Sequence, residues 1–122
     1  VTYGNTRFLL TGDMEEVAEK ELVEAGVDLK ADVLKVGHHG SASSTSYRFL
    51  RAVAPTYGVI SLAAYNEYGH PHNAPLSRLM DADVTIYRTD KMYDVVAFSD
   101  GQTVTFTCSN SYAEPWRPGD PR

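Results

Sequence analysis

Three short apolar runs, Arg7 to Leu10, Ala31 to Val36 and Tyr57 to Leu62, each end in a loop rich in glycine and in metal-binding side-chain types. Segments of helical period separate them, and this alternation is what most constrains the fold. Strand, loop, helix repeated in this way builds a sheet whose connecting helices pack on it. In open α/β sheets the chemistry gathers beyond the carboxyl ends of the strands, where neighbouring loops converge. The first run leads to Thr11-Gly12-Asp13, the second to Gly37-His38-His39-Gly40-Ser41, and the third to Asn66-Glu67-Tyr68-Gly69-His70-Pro71-His72. All four histidines of the chain therefore fall in two strand-end loops, with a carboxylate at the third.

The intervening elements read as follows. Val1 to Tyr3 pairs with Arg7 to Leu10 through Gly4-Asn5, a hairpin turn signal. Met14, Val17, Ala18, Leu22 and Ala25 follow at helical spacing. Asp13 can cap that helix, with Glu16 at the capping-box offset, and Gly26 can end it. The run Ser41 to Ser46 offers N-caps for a second helix with Phe49, Leu50, Val53 and Ala54 as its apolar face and Pro55 as its stop. A short helix is expected around Pro75 to Met80, then strands at Val84 to Tyr87, Asp94 to Ser99 and Thr103 to Thr107, the last two joined through Asp100-Gly101. Ser109 to Arg122 has no apolar period and contains Pro115, Pro118 and Pro121. The division expected is a body over 1–108 and a linker or tail over 109–122, with Trp116 as the residue able to dock.

Composition narrows the function. At 122 residues, 43% hydrophobic and 22% charged, the chain has the make-up of one globular domain that buries a core. A net charge of −5 argues against a general phosphate-binding surface, which needs Lys and Arg to displace condensed counterions. Nucleic-acid contact, if present, is therefore local and metal-assisted. The lone Cys108 allows no intrachain disulfide. No run approaches the ~18 apolar residues of a membrane span, and a start at Val1, inside a strand-like run, is expected of a piece of a longer protein.

Imidazole nitrogen and carboxylate oxygen suit a borderline ion such as Zn²⁺, and a carboxylate can bridge two ions. Each piece alone has an ordinary reading: Asp13 as a helix cap, His38-His39 as a solvated turn, His70 as a loop histidine bonded to backbone. Their convergence on one sheet edge favours a metal site.

The segments Phe8 to Asp13, Asp32 to Ser41 and Asn66 to Pro71, in this order and spacing, resemble the ComEC-type branch of the metallo-β-lactamase superfamily. The aspartate and double-histidine motifs are similar also to those of phosphorylcholine esterase. The resemblance covers about Val1 to Thr107 and implies the second half of an αββα sandwich, a mixed sheet with helices on one face. It implies that Asp13 bridges two metal ions, Zn²⁺ or Mn²⁺, that His39 is a metal ligand, that His38 lines the substrate site, and that His70 sits at the rim near the leaving group. Ser41 and Ser43 are candidates for hydrogen bonds to phosphate, although helix capping explains them equally.

The superfamily's His-x-His-x-Asp-His run, or its His-x-Asp-x-Asp-His variant, is absent, as is a further histidine ahead of Thr-Gly-Asp. The expectation is a fragment of an extracytoplasmic metallo-hydrolase cleaving DNA or another phosphodiester, inactive alone and partnered by the N-terminal half of its domain. A cell-wall phosphodiester or phosphorylcholine ester is the alternative substrate, and a non-catalytic fragment the alternative class. An uncovered sheet face carrying Leu9, Leu34 and Ile60 is expected to drive association, including a homodimer.

Overall fold

The computed structural model describes all residues, 1–122. The strands are β1 (Thr2–Tyr3), β2 (Thr6–Leu10), β3 (Val33–Lys35), β4 (Tyr57–Ile60), β5 (Thr85–Arg88), β6 (Val95–Ser99) and β7 (Val104–Cys108). The helices are α1 (Glu16–Glu24), α2 (Tyr47–Val53), α3 (Asn73–Asp81) and the short α4 (Thr89–Met92), which the sequence reading did not anticipate. A five-stranded sheet runs in the order β1-β2-β3-β4-β5, antiparallel at β1 and parallel from β2 to β5. Because spatial order follows chain order and such crossovers are right-handed, α1, α2 and α3 all fall on one face.

Packing bears this out. Phe49, Leu50 and Val53 of α2 and Leu79 of α3 form one buried cluster with Leu34, Val36, Ile60 and Ile86, and Leu22 and Val23 of α1 pack against it. Register puts Leu9, Leu34, Gly58 and Ile86 on this helix-covered side. Leu34 and Ile60 are 0% exposed and Leu9 packs against the cluster, so these residues do not form an uncovered face. The inner face belongs instead to the alternate positions, Phe8, Val33, Tyr57 and Thr85, then Leu10, Lys35, Val59 and Tyr87. Both faces of a parallel strand carry apolar residues, and so the sequence does not announce which set meets the helices.

The hairpin β6–β7 forms a separate two-stranded sheet on the inner side. Phe106 lies 4.0 Å from Tyr87, ring on ring, and 4.9 Å from Tyr57. Thr6 and Ser99 hydroxyls meet at 2.6 Å, and the Asn5 amide donates to the Gly101 carbonyl. The hairpin covers part of the inner face and leaves Leu10 65% exposed. The arrangement is mixed α/β, with helices on the outer face of the main sheet and a second small sheet on its inner face.

One local expectation needs correction. Helix α1 starts at Glu16, its N-cap position is Glu15, and no side chain caps it. The Asp13 and Glu16 capping box does not form, because the Glu16 amide already donates to the Ser43 carbonyl at 2.8 Å, which satisfies one of the free amides of the first turn. Asp13 is thereby left free for other partners. Ser46, in contrast, does cap α2, accepting from the Phe49 amide. The stretch 109–122 returns to the body: Trp116 exchanges both backbone hydrogen bonds with Ile86 at the β5 edge, and Pro115 is buried. No helix is long and apolar enough to cross a membrane.

Candidate metal and phosphate site

Three loops meet beyond the ends of β2, β3 and β4, and hydrogen bonds to backbone groups tie them together. The Thr11 hydroxyl donates to the Lys35 carbonyl at 2.6 Å, and the His38 amide donates to the Gly12 carbonyl at 2.8 Å. The Ser44 hydroxyl donates to the Met14 carbonyl, while the carboxylate of Glu19, 2% exposed, accepts the Thr45 and Ser46 amides at 2.6 and 3.0 Å. Helix α1 thus anchors the serine loop that follows the two histidines.

His38 and His39 both adopt left-handed backbone conformations, φ 49° and 53°, inside a 3-10 turn over Gly37–Gly40. Such conformations cost non-glycine residues roughly 1–2 kcal/mol each, and the flanking glycines make the turn possible. A Cβ on Gly37 would come 2.9 Å from the Met14 carbonyl oxygen, and one on Gly40, at φ +80°, 2.7 Å from the Pro71 Cβ. The strained turn throws the two imidazoles in different directions. His39 Nδ1 lies 2.6 Å from the Ser61 carbonyl. A carbonyl only accepts, so Nδ1 carries the proton and Nε2 of the neutral ring presents a lone pair. That Nε2 lies 3.8 Å from Asp13 Oδ1. His38 turns toward Glu15, whose Oε1 is 3.2 Å from Nδ1 but without hydrogen-bond geometry, leaving a buried ring nitrogen with no hydrogen-bond partner.

The third loop brings His70 alongside. Its ring centroid is 5.8 Å from that of His38, 6.5 Å from His39 and 4.7 Å from His72, and it stacks on Tyr68 at 5.6 Å. Desolvation by burial, the largest cause, pushes its pKa below the ordinary histidine value. Asn66 fixes its backbone, accepting the His70 amide and donating to the His70 carbonyl. A cavity of about 400 Å³ opens between His39, Asn66, Tyr68 and His70. Ser41 is buried, and its hydroxyl pairs with that of Ser43 at 2.9 Å and accepts the Ser43 amide.

The structure therefore brings Asp13, His39, His38 and His70 to one sheet edge and sets the two serines just behind. Sequence reasoning missed Glu15, Asn66 and Lys35. Lys35 stands on the inner face, where burial lowers its pKa and the charge of Asp13 acts in the opposite sense. A charged residue closing an otherwise apolar strand is the signal that could have found it.

Metal bonds of about 2 Å at a tetrahedral angle separate two ligand atoms by about 3.3 Å. The 3.8 Å between His39 Nε2 and Asp13 Oδ1 is within a small side-chain rotation of that value. Their chemistry fits two ligands of one ion, with the Ser61 carbonyl as the outer partner that orients the imidazole. It does not fit a complete shell: nowhere in the chain do three His, Cys, Asp or Glu side chains converge to hold a metal.

This fold agrees with the comparisons to known proteins, and the chain belongs to the metallo-beta-lactamase superfamily, whose family model matches residues 1–64. It is similar to ComE operon protein 3 of Bacillus subtilis, 41% identical over 88 residues, which is 72% of this chain and 11% of that protein. Competence protein ComA of Neisseria gonorrhoeae is 41% identical over 91 residues, 74% of this chain and 13% of that protein. Recombination protein 2 of Haemophilus influenzae is 43% identical over 76 residues, 62% of this chain and 9% of that protein. These likenesses match the ComEC-type branch, and the chain corresponds to about a tenth of each relative's length. No solved structure matches it.

Proposed function

We propose that the chain is the C-terminal half of a divalent-metal-dependent phosphodiesterase domain that acts on DNA during uptake, on the extracytoplasmic side of a membrane. The observation that carries this reading is the Asp13 and His39 pair, two donors of the right chemistry facing each other at 3.8 Å with the histidine tautomer fixed from behind. The competence and recombination names of the relatives support the substrate and the location.

In this reading Asp13 and His39 would be the residues of this chain that hold a divalent ion, Zn²⁺ or Mn²⁺. The metal, when bound, supplies a nucleophile at neutral pH and neutralises phosphoryl charge. His38 lines the substrate. His70 faces the departing oxygen as the proton donor. Ser43 offers a hydroxyl to phosphate, oriented by the buried Ser41. The N-terminal half of the domain supplies the remaining ligands and covers the rest of the inner face.

The net charge of −5 favours a smaller phosphodiester, such as a cell-wall or choline ester, as the second reading. Assay of the whole domain on plasmid DNA and on a choline phosphodiester separates them. Metal-dependent loss of DNA is the expected result, and turnover of the choline ester alone would reassign the substrate.

A further inference from the structure

The two histidines of the 66–72 loop are used in opposite ways. Neither ring nitrogen of His70 has a hydrogen bond within the chain, whereas both ring nitrogens of His72 are taken. His72 Nδ1 accepts the Ala42 amide at 2.8 Å. Its Nε2 lies 3.1 Å from the Tyr68 carbonyl, which can only accept, so Nε2 carries the proton and the ring is neutral. The His72 amide in turn donates to the Gly40 carbonyl at 2.9 Å. One residue therefore binds the loop after His38-His39 at two points and the loop before His70 at a third. His70 lies within this brace, edge-on to His72 at 4.7 Å, with Tyr68 on its other contact. The loops have no slack where they touch: a Cβ added at Gly40 would come 2.7 Å from the Pro71 Cβ.

We propose that His72 is a positioning residue, a neutral imidazole clamp that locks the 66–72 loop to the 40–42 turn and so sets His70 against His38 and His39. With no ring nitrogen left for substrate, His72 acts only through His70. This role rests on the hydrolytic reading for its effect on turnover, but not for the clamp itself. A side chain held to an ångström is what such a site needs, since misplacement on that scale costs up to about a hundredfold in rate.

The test has two parts. In the 122-residue chain, ring ¹⁵N shifts should report His72 as the Nε2–H tautomer with an accepting Nδ1, and the Ala42 amide should exchange faster in His72→Ala. In the whole domain, His72→Ala should lower kcat on bis-p-nitrophenyl phosphate about tenfold with little change in KM or metal content. His72→Asn, which keeps an acceptor for the Ala42 amide, should recover most of the loss. A different tautomer, or Ala42 exchange unchanged in His72→Ala, would overturn the clamp whether or not the domain is a phosphodiesterase. Wild-type kcat in His72→Ala, or a KM effect that His72→Asn does not rescue, would overturn the positioning role. A wild-type domain without activity would instead sink the hydrolytic reading while the tautomer and exchange results decide the clamp.

Discussion

His39 Nε2 stands 3.8 Å from Asp13 Oδ1 while its other ring nitrogen donates to the Ser61 carbonyl, so the loops after β2, β3 and β4 all contribute to one donor pair. In the whole domain, Asp13→Ala should lower metal-dependent kcat/KM by about a hundredfold or more and reduce bound metal, if the proposed role of the carboxylate as a ligand holds. Asp13→Asn should fall between, since it keeps the shape and weakens the bridge. His72→Ala should be the milder change. Kinetics and metal analysis of the three variants check this, and equal losses for Asp13→Ala and His72→Ala would count against the assignment.

The loop clearance makes a prediction about stability. Gly40→Ala combines φ +80° with a Cβ 2.7 Å from Pro71, whereas Gly12→Ala has φ +56° and open space around the new methyl. Urea denaturation should show Gly12→Ala costing about 1 kcal/mol and Gly40→Ala at least about 2 kcal/mol. Equal costs would mean that the Gly40 loop yields to the methyl and that the contact between the two histidine loops is not tight.

The inner face leads to a third prediction. Leu10 is largely exposed there, Phe8 and Val59 are half-buried, and Val96 and Phe98 stand out from the hairpin. Apolar surface of this kind becomes an interface when contiguous. The isolated chain should self-associate at high concentration by light scattering, and addition of the N-terminal half should replace the homodimer by a mixed pair. A monomer at all concentrations would show that the hairpin covers the face well enough by itself.

How much of this was legible in the sequence differs from residue to residue. The three reactive loops were, because Gly12-Asp13, Gly37 to Gly40 and Gly69 to His72 follow apolar runs and glycine marks the turns. The Gly4-Asn5 and Asp100-Gly101 hairpins and the Ser46 cap were also local signals. The orientation of Leu34 and Ile60 was not, because parallel strands lack the alternation that tells one face from the other. Asp13 looked like a helix cap, and only the Ser43 carbonyl, distant in sequence, shows why Glu16 needs none. The pairing of Trp116 with Ile86 and the stacking of Phe106 on Tyr87 are likewise long-range.

The central claim, that this chain holds half of a metal site, is tested most directly by assaying the purified chain on bis-p-nitrophenyl phosphate and DNA with Zn²⁺ or Mn²⁺. The N-terminal half is added in parallel, and Asp13→Ala serves as control. A catalytic zinc site takes about three protein ligands with a further position left open, and this chain brings Asp13 and His39. The chain alone should give no turnover, and adding the other half should give metal-dependent turnover that is lost in Asp13→Ala. Turnover by the chain alone that disappears in Asp13→Ala would contradict it, because the two ligands would then suffice.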